Sequence, residues 1–285
     1  MKTKLMTIFT RTPLHVGCGS SVGAVDQPVA RERHTRFPII PGSAIKGVLA
    51  DLWQDEREEK INKKGKKVLV RNKNARIYFG SDDVEDTESG KIAFGEARLL
   101  AFPVRSAKGC FAFVTSPLSL DRFKRDAGLN LTVPELKDGQ TCLAGADVVF
   151  SERNAVVLEE YRFEKTGEFP SDWAEKLCSL ADDAVLNGGK NRFVLVHDED
   201  MSFFAENACQ ISQHVSIDSA TGTAAEGKLF NQEEVPSESL FYAPITELCS
   251  NVDYNPFKEK MDDSPLVQFG GKGTTGIGYC SVKLI

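Results

Sequence analysis

The chain reads as an α+β domain with insertions. Helix-like and strand-like segments alternate without the regular βαβ rhythm of a doubly wound sheet. No repeat of fixed period runs through it. Its 285 residues, 41% of them hydrophobic and 9% aromatic, supply a globular core. That length fits two ordinary domains or one elaborated one; we read a single domain over 1–285.

The elements follow in order. MKTKLMTIFT alternates at Leu5, Thr7 and Phe9 and predicts a first strand that runs into a glycine loop. Pro41-Gly42-Ser43 precedes Ile45, Val48, Leu49, Leu52 and Trp53, spaced i, i+3, i+4, i+7, i+8. This predicts an amphipathic helix with Ser43 as N-cap and Lys46 off the apolar stripe. Residues 54–76 are highly charged with few apolar anchors and read as a mobile insertion or long loop. Segments 90–103 and 110–115 are strand-like. Ser116-Pro117 caps and opens a second helix over Leu118 to Arg125. Residues 128–147 look irregular, and 154–163 forms a strand. Ser171 caps a third helix with Trp173, Leu177, Leu180, Ala181, Ala184 and Val185 on one face, ended by Gly188-Gly189. Phe193 to Val196 is a short buried strand. Residues 215–240 form two strands around a turn at 218–222. FGGKGTTGIGYCSVKLI closes the chain as a glycine loop and a last strand.

Composition excludes several classes. No apolar run reaches the ~18 residues of a membrane helix, and the N-terminus is polar too soon for a secretory signal. The seven cysteines are odd in number and none lie within a C-x2-4-C spacing. Free thiols in a reducing cytoplasm are expected, without a disulfide framework or zinc knuckle. Net charge is −6, which argues against a general nucleic-acid coat. The charge is uneven, however: 63–76 holds seven Lys/Arg and no acid.

The glycine loop at 270–278 contains G-x-G-x-x-G, but only seven residues follow, and they alternate like a strand. A dinucleotide site needs a helix there and an acid further on. Walker A chemistry fails too, because Lys272 is followed by Gly273. What survives is backbone that can approach a phosphate closely at Gly271 and Gly273, with Lys272 adding charge. A plain structural hairpin reads equally well. His197-Asp198-Glu199-Asp200 is an acidic helix start, since consecutive residues do not converge on one ion. KGCFAFV at 108–114 loosely matches an RNA-reading strand, with Cys110 as the departure; its aromatics are assigned to the core. No G-x-S-x-G or Cys/His pairing supports acyl chemistry.

The informative stretch is LHVGCGSSVGAVDQPVARERHTRFPIIPGSAIKGVL, from Leu14 to Leu49. It combines glycine backbone, the basic residues Arg31 and Arg33, a helix start at Ser43 with Lys46, and one isolated acid, Asp26. Such a set suits holding a phosphodiester with an acid beside it. An aspartate next to Pro28 also makes an ordinary turn. His15, at the strand-to-loop junction, is of a type that exchanges protons near neutrality or simply packs.

Together with GCFAFVTSPLSLDRFKRD and FGGKGTTGIGY, this stretch resembles the RAMP-superfamily backbone subunit of Cmr-type (type III-B) CRISPR effector complexes. The resemblance spans essentially the whole chain. It implies a ferredoxin-like, RRM-derived core with insertions and a protruding thumb hairpin at 212–240. It implies a protein that lines up with copies of itself along a guide CRISPR RNA, beside other Cmr subunits. Ser43, Lys46, Arg31, Arg33 and the 271–273 backbone with Lys272 would face guide RNA. A complementary target RNA would be cut at regular intervals with a divalent metal, Mg²⁺ or Mn²⁺. The family's catalytic aspartate corresponds to Asp26, as proton acceptor or metal holder, with His15 and Glu226 as secondary candidates. A subunit that binds guide and target but cuts nothing is the alternative.

Overall fold

The structure is a computed structural model that describes residues 2–19, 23–83, 85–217, 222–249 and 252–285, with the side chains of 216 and 224–228 outside that description. A twelve-stranded mixed sheet organises it, with two separate two-stranded hairpins. The first strand, Thr3–Thr10, lies between the closing strand Tyr279–Leu284 and Leu240–Glu247, antiparallel to both. Ala97–Ser106 and Cys110–Thr115 extend the sheet beyond Leu240–Glu247, and Phe193–Leu195 adds in parallel to Cys110–Thr115.

Period-2 alternation gives this sheet a core on each face. Met6 and Ile8 of the first strand join one cluster, while Leu5 and Phe9 join the other. The first face is covered by helices Gly42–Asp51, Asp198–Asn207 and Asn255–Asp263 through Ile45, Leu49, Phe204 and Phe257. Helices Pro117–Ala127 and Ser171–Cys178 cover the second through Leu120, Phe123, Trp173 and Leu177. The mixed α/β architecture expected from the sequence is therefore present. Ser116 caps its helix as read, accepting from the Ser119 amide, and Gly128 ends it in the left-handed conformation. The aromatics of 108–114 are core: Phe113 is fully buried and Phe111 half-buried.

Several expectations are corrected. The helix after Pro41 begins at Gly42, not Ser43, and Pro41 is its N-cap with no side-chain cap bond. Gly42 is pressed against the Phe94 carbonyl, where a Cβ would stand only 2.1 Å away. The chain must therefore turn helical at the one residue small enough to pass. Residues 54–76 are not a loop. They form a short 3-10 turn, a hairpin pairing Glu58–Ile61 with Lys67–Val70, and the start of helix Lys73–Phe79, which Asn72 caps. Part of their positive charge is paired locally, Lys67 with Glu59 and Arg76 with Asp86 and Glu88. The predicted third helix is broken after Cys178, and Asp183 caps a separate turn, Ala184–Asn187, that leaves Val185 exposed. A strand, Thr141–Ala144, crosses the supposedly irregular 128–147, and 154–163 holds two strands, Ala155–Leu158 and the start of Tyr161–Gly167.

The second hairpin pairs Gln210–Ile217 with Ala224–Glu234. It starts before the predicted 212 and ends before 240, because Leu240 already belongs to the main sheet. Of its predicted tip at 218–222, residues 218–221 lie outside the described residues. All seven cysteines are free.

Candidate active site and nucleic-acid interface

The outer edge of the hairpin strand Ala224–Glu234 is the spine of the site. The segment from Leu14 to Arg31, sequence-distant by some two hundred residues, is laid along it. Leu14 and Val235 exchange both backbone bonds at 2.8 Å. Gln27 pairs in parallel with Gln232, donating to the Asn231 carbonyl and accepting from the Glu233 amide. Asp26, exposed at the end of its glycine loop, accepts the Asn231 N–H on Oδ2 at 2.8 Å. The turn reading of Asp26 is thus incomplete, since its carboxylate is fixed by a remote strand.

Glu233 ties the rest together. Its carbonyl accepts from His15 Nδ1 at 2.7 Å, and its carboxylate accepts the Val29 N–H at 2.9 Å and the Arg31 guanidinium. Because a carbonyl only accepts, His15 carries a proton on Nδ1, and its neutral form presents Nε2 as the lone pair. Gly17 lies against that nitrogen, where a Cβ would approach to 2.8 Å. Asp26 and His15 therefore hang from positions 231 and 233, about 7 Å apart along a strand. No motif in the sequence singles out Glu233. Its burial, with 7% exposure, was not visible there, although its place in an alternating strand offered a hint.

Arg31 does not face solvent as expected. Its guanidinium is buried and donates to the carbonyls of Arg36 and Ala205, to Cys209 Sγ and to Glu233. A loop arginine flanked by charges looks exposed in sequence. Here the helix Asp198–Asn207 closes over it, and burial pushes the Cys209 thiol up to about 11. Arg33 is exposed and borders a groove of 440 Å³ shared with His34, Arg98, Arg122 and Arg125, with Glu32 and Glu96 on its wall. Ser43 and Lys46 are exposed on the outer face of their helix, and Lys46 has no ion-pair partner among the described residues.

The glycine loop packs beside the same spine. Gly270 has φ +76 and passes the His15 carbonyl so closely that a Cβ would stand 2.1 Å away, and the Gly271 amide donates to that carbonyl. Gly273 opens a 3-10 turn. Lys272 departs from its expected role. Its ammonium is turned inward, lies 4.7 Å from the centroid of the Phe230 ring and has no hydrogen-bond partner among the described residues. Burial lowers its pKa, opposed by the charge of Glu234. Glu226 lies in the hairpin strand, but its side chain is outside the described residues.

The site thus holds an acid and an imidazole on one strand, with the exposed cations Arg33 and Lys46 elsewhere on the same stretch of chain. The chain belongs to the RAMP superfamily, whose sequence model matches residues 7–281. It is similar to the CRISPR system Cmr endoribonuclease Cmr4 of Pyrococcus furiosus, at 35% identity over 300 positions that cover 100% of this chain and 96% of the relative. Similarity to the Csm3 endoribonuclease of Mycobacterium tuberculosis is narrower, 26% over 148 residues, or 51% of this chain and 60% of that one. The crystal structure of oligomeric Cmr4 from Pyrococcus furiosus superposes with a TM-score of 0.72 at 29% identity, covering 100% and 98% of the two chains. A type III-B Cmr-beta complex bound to cognate target RNA contains a chain of the same fold, with a TM-score of 0.73 at 19% identity and coverage of 100% and 97%. No helix among the described residues is long and apolar enough to cross a membrane.

Proposed function

We propose that this chain is a guide-binding, target-cutting backbone subunit of a cytoplasmic type III-B CRISPR effector complex, and that Asp26 acts on the RNA that is cut. The observation that carries the reading is the bond from Asn231 N–H to Asp26 Oδ2. It fixes an exposed carboxylate beside a separate two-stranded hairpin. In this reading the hairpin is the thumb of a ferredoxin-like RAMP core. It separates guide from target and splays one target nucleotide.

The chemistry follows from that kink. A splayed nucleotide aligns its 2′-oxygen with its own 3′ phosphorus. The 2′-oxygen attacks phosphorus, the bond to the 5′ oxygen breaks, and the products are a 2′,3′-cyclic phosphate and a 5′-OH that takes its proton from water. A carboxylate offers about four lone-pair positions, so Asp26 accepts the 2′-hydroxyl proton while keeping its Asn231 bond. Among the described residues no group of three or more His, Cys, Asp or Glu is placed to hold an ion. The lone carboxylate of Asp26 suits a hydrated Mg²⁺ or Mn²⁺ that draws its other ligands from RNA phosphates. Such an ion would offset the charge that builds on the phosphate. Ser43, Lys46, Arg33 and the Gly273 backbone supply the guide contacts, with neighbouring copies and other Cmr subunits completing the complex.

The test is the assembled complex with end-labelled complementary RNA, with and without EDTA, for the native chain and Asp26→Asn. The native complex cuts at regular spacing, and EDTA stops it. Asp26→Asn keeps guide and target binding but slows cutting by roughly 10²-fold or more. Cutting by Asp26→Asn at the native rate would overturn the assignment. Failure of the native complex to cut at all would favour a subunit that only binds.

A further inference from the structure

Lys272 occupies a position that glycine would fill at less cost. Its φ is +62, left-handed, in a loop where Gly270, Gly276 and Gly278 also have positive φ. A lysine persists in that backbone region where its side chain is needed and the surroundings hold it. The ammonium is shielded from solvent and reaches no acid within bonding distance among the described residues. It sits over the Phe230 ring. The His214 ring, directly across the hairpin from Phe230, stacks on that phenyl at 5.2 Å and 25°. Phe230 immediately precedes Asn231, whose N–H holds Asp26. On its other side the loop is tied to the segment that carries His15, through Gly271 N–H to the His15 carbonyl and Gly278 N–H to the Pro13 carbonyl.

We infer that Lys272 is a positioning residue for Asp26: its cation, seated on Phe230, clamps the glycine loop to the hairpin strand and so fixes the Asn231 amide that holds the carboxylate. A cation over an aromatic face is attracted by the ring quadrupole, and more strongly when desolvated. Here the contact joins the glycine loop, which is tied to His15, to the hairpin strand that holds Asp26, and among the described residues no backbone hydrogen bond links those two segments. The function of the lysine is then mechanical, in place of the phosphate contact expected from the sequence. This inference rests on the proposed role of Asp26 for its effect on cleavage, but the clamp itself can be read independently.

The experiment uses assembled complexes carrying Lys272→Met or Lys272→Arg, with Asp26→Asn in parallel. Single-turnover cleavage at saturating target, guide affinity across a salt titration, and amide exchange of the peptide spanning 229–235 are measured. Lys272→Met is expected to slow cleavage roughly tenfold or more, as a displaced catalytic group does, and to speed exchange of that peptide. Guide affinity and its salt slope stay unchanged. Lys272→Arg, which keeps a cation for the ring, restores cleavage to within about threefold. Native-rate cleavage and unchanged exchange in Lys272→Met would overturn the clamp, as would an Arg variant as slow as Met. A weakened, salt-shifted guide affinity would instead assign Lys272 to a phosphate. If Asp26→Asn cuts normally while Lys272→Met speeds exchange, the clamp stands and the catalytic reading of Asp26 falls.

Discussion

The carboxylate of Asp26 accepts the backbone N–H of Asn231 at 2.8 Å, across 205 residues of sequence. Asp26 lies in the run VGAVDQP, yet its carboxylate bonds to a strand about two hundred residues away. Its position is set by the hairpin, and the hairpin is registered against the main fold through Leu14, His15 and Arg31. The placement of Asp26 is thus a property of tertiary structure that forms only when both ends of the molecule have folded together.

Gly270 should tolerate no side chain. An alanine there meets the His15 carbonyl at 2.1 Å and is held at φ +76, whereas Gly276, at φ +84, has nothing within 4 Å of its would-be Cβ. Backbone strain alone costs about 1–3 kcal/mol, and each kcal/mol lowers the melting temperature by roughly 2–4 °C in a chain of this size. Gly276→Ala should pay the strain only. Gly270→Ala should lose clearly more in a thermal melt followed by circular dichroism. Equal melting temperatures for the two would show that the loop can move away from His15 at little cost.

The Arg31–Glu233 pair is buried, with side-chain exposures of 5% and 9%. Removing one partner of such a pair strands a charge and costs about 3–5 kcal/mol. Arg31→Met should therefore shift the urea midpoint strongly. Because Glu233 is the charge left behind, Arg31→Met with Glu233→Gln should be less destabilised than the sum of the single variants. Strict additivity would mean the two groups do not depend on each other.

Glu32 gives a pH signature. Burial opposes its ionisation, but the Thr35 hydroxyl and the Arg122 guanidinium more than compensate and hold its carboxyl below the usual range. A carboxylate lowered in the folded state stabilises fully above its unfolded pKa, near 4.3. That stability is lost as pH falls through the lower folded value. Glu32→Gln should cost melting temperature at neutral pH and progressively less toward pH 3. A deficit that stays constant with pH would place the role of Glu32 in packing, not charge.

How far the sequence was legible depended on the range of the forces involved. Ser116-Pro117 and Gly128 bound their helix through contacts within a few residues, so the pattern is readable, and so is the alternation of the first strand. The helix start at Gly42 was misread because the Phe94 carbonyl that demands a glycine comes from a strand fifty residues on. Arg31 and Lys272 were both expected on the surface, since their burial depends on Glu233 and Phe230, on a hairpin whose docking no local pattern encodes. Asp26 was singled out by the resemblance, and its anchoring by Asn231 could be found only in the folded chain.

Lys46 is the sharpest test of the guide interface. The chain is net acidic at −6, so attraction for RNA must be local, and screening confines it to about 8 Å at physiological salt. Cations already paired with acids contribute little. Lys67 lies 2.8 Å from Glu59 and belongs to that class, whereas Lys46 is exposed without an ion-pair partner among the described residues. Each lost phosphate contact on single-stranded RNA lowers the slope of log affinity against log salt by about 0.7. Lys46→Gln should weaken guide binding and reduce the slope by that amount, while Lys67→Gln, with the same formal charge change, should alter neither. Titrating a labelled guide against both variants at several salt concentrations separates a specific contact from a general effect of net charge. Equal slopes for the two would remove Lys46 from the RNA path.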